Sequence, residues 1–191
     1  MNHRRRYPLV LLTIAIGAGV VVLDQVTKWW AENSLSTGER VPLLGELLGL
    51  QLAYNPGAAF SFGANSTWIF TIISAVAVAA AIWFTLRVRT VSWAIVIGCL
   101  GGAVTSHLGD RLLRPPSFGQ GHVVDFLAYG NWFIGNVADI FIVGGAAAAT
   151  GLMLLGIPEV REIGVALVAS AGLAGLAVGV STTPDVDVEM R

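Results

Sequence analysis

Two aspartates stand in apolar surroundings fourteen residues apart: Asp125 in His122-Val-Val-Asp-Phe, and Asp139 in Asn136-Val-Ala-Asp. A carboxylate at membrane depth is costly, and is kept where it lines a cavity or does chemistry. If the chain doubles back so that the two meet, they cannot both ionise easily; one keeps a proton near neutral pH. One carboxylate can then act as general base on a water. The other acts as acid toward a carbonyl or a leaving amine. That pairing hydrolyses a peptide bond without a covalent intermediate. No Ser/His/Asp set competes, because His122 reads as a loop residue and His3 lies at the terminus.

Further polar residues interrupt apolar stretches. Asn136 and Asp139, at i and i+3, share a helix face. Asp24 and Lys28, at i and i+4, can pair on one face; the plain reading is a helix-end ion pair whose lysine snorkels to the interface. In Asn55-Pro-Gly57-Ala-Ala-Phe60, Asn55 offers a donor and an acceptor, and Gly57 with the alanines allows close backbone approach. His107, Asp110 and Arg111 fall at i, i+3 and i+4 on one face, as a functional group or as a structural pair at a helix end. The single cysteine, Cys99, sits in an apolar run and reads as buried. No Cys/His spacing suggests a metal site.

The elements that must position these residues follow from composition. Of 191 residues, 55% are hydrophobic and only 12% charged, against about 25% charged in a soluble domain. An integral membrane protein is expected. The absence of a basic stripe with interleaved aromatics excludes nucleic-acid binding. Four stretches, about 9–30, 68–86, 93–113 and 132–156, are long and apolar enough to span. The first follows Arg4-Arg5-Arg6 and lacks a clean cleavage site, so it is expected to be an uncleaved helix. Arg87, Arg89 and Arg161 fall on the same side as the N-terminal arginines, making that side cytoplasmic. Trp29, Trp30, Trp68, Trp83, Trp93 and Trp132 form the expected aromatic belts. In the outer segment 31–67, Leu50-Gln-Leu-Ala-Tyr alternates like a strand, which predicts a small sheet on the outer membrane surface. Residues 114–120 read as a turn-rich connector. The expected class is therefore an all-α membrane protein of four helices with a small extracytoplasmic sheet. The helical unit covers 1–156 and an extension covers 157–191, where 164–180 is a possible weak fifth helix.

Five blocks carry a resemblance: Asp24-Gln-Val-Thr-Lys28, Asn55-Pro-Gly-Ala-Ala-Phe60, Gly101-Gly-Ala followed by Asp110-Arg111, Val123-Val-Asp125-Phe126, and Asn136-Val-Ala-Asp139. In this order and spacing the chain resembles a lipoprotein signal peptidase (signal peptidase II), a bacterial intramembrane aspartic peptidase. The form of the Asn-Pro-Gly block and residues 114–120 look actinobacterial. The resemblance implies four spans with both termini cytoplasmic and an active site near the outer face of the plasma membrane. It implies Asp125 and Asp139 as the catalytic pair, with Asp24, Lys28, Asn55, Gly57, Asp110, Arg111 and Asn136 shaping the site. The implied substrates are prolipoproteins carrying a diacylglyceryl-modified cysteine, cut just before that residue. No metal or organic cofactor is implied, and the expected partners are substrate and membrane lipid, with the enzyme a monomer. There is one departure: His107 stands where the family usually has asparagine. This calls into question the network around Asp110 more than the dyad. An imidazole can still donate and accept a hydrogen bond. Two other readings are a carrier or channel whose aspartates bind an ion, disfavoured by the lack of an internal repeat, and an inactive relative that only binds lipoprotein tails.

Overall fold

A computed structural model describes residues 6–57 and 67–157. Four helices, α1 (Arg6–Ser34), α2 (Thr67–Thr85), α3 (Val91–Leu113) and α4 (Val137–Leu154), are each long and apolar enough to cross a membrane. The possible fifth helix at 164–180, all of the extension after 157, and part of the Asn55 block (58–60) lie outside the described residues.

Helix α3 is the central one. Half of its most apolar window is buried, against 17% for each of the other three helices. The remaining helices turn Leu11, Ile14, Val22, Ile72, Val76 and Val143 outward, as a lipid solvent permits. Close packing of α1 on α3 rests on small residues: a Cβ added to Gly102 would lie 2.5 Å from the Gly17 carbonyl oxygen. Without a hydrophobic drive between helices in lipid, such close backbone approach is what holds them. The six tryptophans do not all form belts. Trp93 is buried against Phe84, Val88 and Ile97, because the first turn of α3 enters the bundle interior instead of the interface.

The segments between α1 and α2 and between α3 and α4 build one antiparallel sheet in the order β1 (Val41–Leu44), β2 (Leu48–Asn55), β3 (Val123–Tyr129), β4 (Phe133–Gly135). The expected strand at 50–54 is the middle of β2. Strand β3 arises from a run with no polar alternation, since Val123, Val124, Asp125 and Phe126 are all buried. A second correction concerns the fourth span, which starts at Val137 and not at 132. Phe133–Gly135 pair with Leu127–Tyr129 as β4, and Asn136 then caps the helix. Ala31 of α1 packs with Leu52, Val124 and Phe126, and Val137 closes this cluster. The sheet is thereby seated on the C-terminal end of α1 and the start of α4. Arg40 ties the two hairpin turns together, donating to the carbonyls of Glu46 at 2.8 Å and Gly130 at 2.7 Å.

Candidate active site

Asn136 joins the two aspartates. As N-cap of α4 it forms a capping box with Asp139, the arrangement that satisfies free N–H groups at a helix start. Its side-chain oxygen accepts from the Asp139 N–H at 3.2 Å, and its own backbone N–H donates to Asp139 Oδ2 at 2.9 Å. Because that backbone donor fixes which end of the amide is oxygen, the Asn136 NH2 group points the other way. It donates to Asp125 Oδ1 at 2.6 Å. One asparagine therefore holds both carboxylates. Asp125 Oδ2 takes a second amide donor, Asn55 Nδ2, at 3.1 Å. Asn55 pairs with Val123 across the β2–β3 ladder, so Asp125 is its diagonal same-face neighbour.

The two carboxylates differ in environment. Asp125 is 3% exposed, whereas the Asp139 side chain is 37% exposed. Burial first, then the Asp139 charge, pushes Asp125 up to about 7; the amides of Asn55 and Asn136 and the charge of Lys28 pull against the rise. Carboxyl groups whose surroundings separate their proton affinities can divide acid and base roles. Tyr129, stacked on Phe133 at 4.7 Å, is also raised by burial and by the Asp139 charge.

Behind the dyad, α1 and α3 share a charge network with a buried centre. Lys28 does not snorkel. It is fully buried, 2.5 Å from Asp24 and 2.7 Å from Asp110. Asp24 Oδ2 also accepts from Ser106 Oγ at 2.7 Å, and its Oδ1 accepts from the Ala138 N–H at 2.8 Å. That last bond puts a carboxylate at the N-terminus of α4, where the helix dipole favours it, and ties the network to the helix carrying Asp139. Asp110 Oδ1 receives Gln25 at 2.9 Å and Arg114 at 2.8 Å, and Arg114 continues to Glu32 at 2.7 Å.

Among the described residues, Arg111 forms no ion pair with a carboxylate. Its guanidinium donates to the carbonyls of Asn55 (3.0 Å), Gly57 (2.6 Å) and Gly121 (3.1 Å). It fastens the end of β2 and the connector before β3 to α3. The Gly57 N–H in turn donates to Asn55 Oδ1 at 3.0 Å, which leaves the Asn55 NH2 group for Asp125.

His107 corrects an expectation. It faces the dyad and not Asp110: Nε2 lies 3.2 Å from Asn136 Oδ1 and 3.6 Å from Asp139 Oδ1. Both neighbours are acceptors, so Nε2 carries the proton in this arrangement. The three residues His107, Asp110 and Arg111 do share one helix face, but they diverge to α4, α1 and the loops.

All ten residues singled out from the sequence thus fall in one connected region. Four members were missed: Gln25, Ser106, Arg114 and Glu32. Gln25 lies inside the Asp24–Lys28 block and Ser106 beside His107, so motif position pointed at both. Arg114 lies at i+4 from Asp110, a local signal that went unused, whereas Glu32 carries none, since it pairs with Arg114 across 82 residues of sequence.

Known proteins resemble this chain in sequence and in fold. A family profile described as Signal peptidase (SPase) II matches residues 16–155. A lipoprotein signal peptidase from Leifsonia xyli is 43% identical over 77% of this chain and 66% of its own length. The chain thus spans about two thirds of that relative. Another, from Mycobacterium avium, is 39% identical over 76% of this chain and 80% of its own. A bacterial membrane enzyme structure determined by the in meso method at 2.3 Å resolution superposes with a TM-score of 0.66 at 25% identity, covering 78% of this chain and 92% of that one. The chain belongs to the signal peptidase II family, a family of aspartic peptidases that remove signal peptides from prolipoproteins.

Proposed function

We propose that this protein is an intramembrane aspartic endopeptidase that cuts diacylglyceryl-modified prolipoproteins just before the lipidated cysteine, with Asp125 and Asp139 as the catalytic pair. One observation carries the proposal: a buried carboxyl raised to about 7 is tied through a single asparagine to a second, solvent-reached carboxylate.

In this reading Asp139 is the base. Its Oδ2 is occupied by the Asn136 N–H, so Oδ1 receives a proton from water as the new C–O bond forms. Asp125 is the acid and gives its proton to the scissile carbonyl oxygen, which avoids a naked oxyanion. When the resulting gem-diol collapses, the C–N bond breaks. The cysteine nitrogen takes the proton held by Asp139, and a hydroxyl proton returns to Asp125. The charge of each intermediate stays small, which suits a site of low dielectric. Asn55 and Asn136 hold Asp125, and His107 supports Asn136 and Asp139. Asp24, Lys28 and Asp110 set the start of α4. Arg111 with Gly57 fixes the loop that carries Asn55.

The arginine distribution supports an N-terminus in the cytoplasm and a sheet, with its dyad, at the outer face of the plasma membrane. Monomeric action, substrate entry from the lipid and a peptidase unit confined to 1–156 belong to the same proposal. The test reconstitutes the full chain with a diacylglyceryl-modified prolipoprotein and with its unlipidated form, and maps products by mass spectrometry. Cleavage only of the lipidated form, leaving a lipidated N-terminal cysteine, is expected. Equal cleavage of both, a cut elsewhere, or none overturns the proposal.

A further inference from the structure

The connector at 114–120 joins α3 to β3, and α2 fixes its depth. Helix α2 has 19 residues, about 28 Å at about 1.5 Å per residue, and the hydrocarbon core it crosses is about 30 Å thick. No turn of α2 is left over to stand in water. The connector folds back beside this helix. Thr71 Oγ1 donates to the Gly119 carbonyl at 2.6 Å. The Gly121 N–H donates to the Arg111 carbonyl at 2.9 Å, in the last turn of α3. The Arg111 guanidinium lies 5.8 Å from the Phe70 ring, so the end of α3 is level with the first turns of α2. Thr71 is four residues into α2, which places the Gly119 carbonyl about 6 Å inside the helix start.

The make-up of the connector suits that depth. Its one charged residue, Arg114, turns inward to Asp110 and Glu32. The side chains it exposes are Pro115, Pro116, Ser117, Phe118 and Gln120. Phe118 is 81% exposed, and Leu113, at the end of α3, is 83% exposed. Irregular backbone near lipid needs its polar groups paired. Pro115 and Pro116 bring no N–H, and the N–H groups of Arg114, Gln120 and His122 donate to the carbonyls of Asp110, Ser117 and Pro115 at 3.0, 2.9 and 2.9 Å. Large apolar side chains left outside mark a contact surface. Continuity with α2 identifies what covers it: Trp68, Ile72 and Val76, around and below the Thr71 contact, are exposed on a helix that crosses the membrane. Trp68 stands at the helix end, where aromatic side chains occupy the lipid interface.

We infer that the connector is an interfacial membrane anchor: Phe118, with Leu113 and Trp68 on the same boundary, lies in lipid at the headgroup–acyl level of the membrane face that carries the sheet. This holds whether or not Asp125 and Asp139 are the catalytic pair.

The test places a fluorescent thiol label at one site at a time in the full chain, on a Cys99→Ser background. The variants are Phe118→Cys, Leu113→Cys, Val76→Cys as a control on the spanning part of α2, and Glu39→Cys as a control on an exposed polar turn. Each protein is checked for a cooperative unfolding transition and reconstituted into phosphatidylcholine–phosphatidylglycerol vesicles. Quenching is measured with iodide on both sides of the membrane, and with phosphatidylcholine carrying a nitroxide either near the headgroup or near the chain end. The Phe118 label should be quenched more by the shallow nitroxide than by the deep one, and the Val76 label by the deep one at least equally. Iodide quenching at Phe118 should be about threefold weaker than at Glu39, as for a side chain withdrawn into the interface. If Phe118→Cys does not fold, Leu113→Cys decides on the same criteria. Iodide quenching equal to that at Glu39 without nitroxide quenching places the connector in water and overturns the inference. A label reached by neither quencher is covered by protein, such as a second copy of the chain, and overturns it equally.

Discussion

Replacing Asn55 by alanine should move the alkaline limb of the pH–rate profile upward, although it removes a residue that touches the proposed acid, Asp125. Asn55 Nδ2 donates to Asp125 Oδ2 at 3.1 Å, a bond that favours the ionised carboxylate, while burial and the Asp139 charge favour the protonated one. A hydrogen bond to a charged group contributes about 1.5–3 kcal/mol. At 3.1 Å this one belongs at the lower end, and each pH unit corresponds to about 1.4 kcal/mol. Its loss should therefore raise Asp125 from about 7 to about 8. The sign is fixed by the role. As the acid, Asp125 must hold its proton, so activity is full below its pKa and falls as pH rises through it. The backbone carbonyl of Asn55, which anchors the loop to Arg111, survives the change. The assay is single-turnover cleavage of a lipidated prolipoprotein from pH 5 to 10, since kcat/KM reports groups of the free enzyme. The height of the profile can fall with the loosened Gly57 turn. The position of its limb is the readout. A limb that stays near 7 or moves down would refute the reasoning about Asp125.

Three further outcomes follow from the same contacts. Asp125→Asn should gain stability over the parent by about 3 kcal/mol between pH 5 and 8, measured by denaturation in detergent: a carboxyl raised from 3.8 to about 7 stabilises the fold only while protonated, and this is lost as pH rises through 7. Lys28→Met leaves Asp24 and Asp110 facing each other without their shared cation. Breaking a buried pair in this way costs about 3–5 kcal/mol, which a drop in thermal stability and loss of activity should register. His107→Asn keeps an N–H donor toward Asn136 and should retain activity, whereas His107→Leu forfeits about 1 kcal/mol of hydrogen bonding and should lower kcat about fivefold; equal rates would show that the polar contact is dispensable.

Much of this architecture was legible in the sequence, for identifiable reasons. Hydropathy located four spans because lipid demands about 20 apolar residues whatever their partners. The same logic misplaced the start of α4, because Phe133 and Ile134 are as apolar in a strand as in a helix. Only the Asn136 cap marks the boundary. Strand β3 was hidden because burial on both faces removes the polar alternation that reveals strands. The dyad stood out through the cost of burying carboxylates. What sequence could not supply was direction. His107, Asp110 and Arg111 share a helix face, yet α4, α1 and the loops claim one each. Likewise the Lys28 position alone does not distinguish a snorkelling lysine from one fully enclosed between two helices.

The most direct test of the central claim is cleavage of a diacylglyceryl-modified prolipoprotein by purified Asp125→Asn and Asp139→Asn proteins, each checked for a cooperative thermal unfolding transition. The account predicts that each substitution alone abolishes signal-peptide release while the protein stays folded. Turnover by either variant near the parental rate would contradict it.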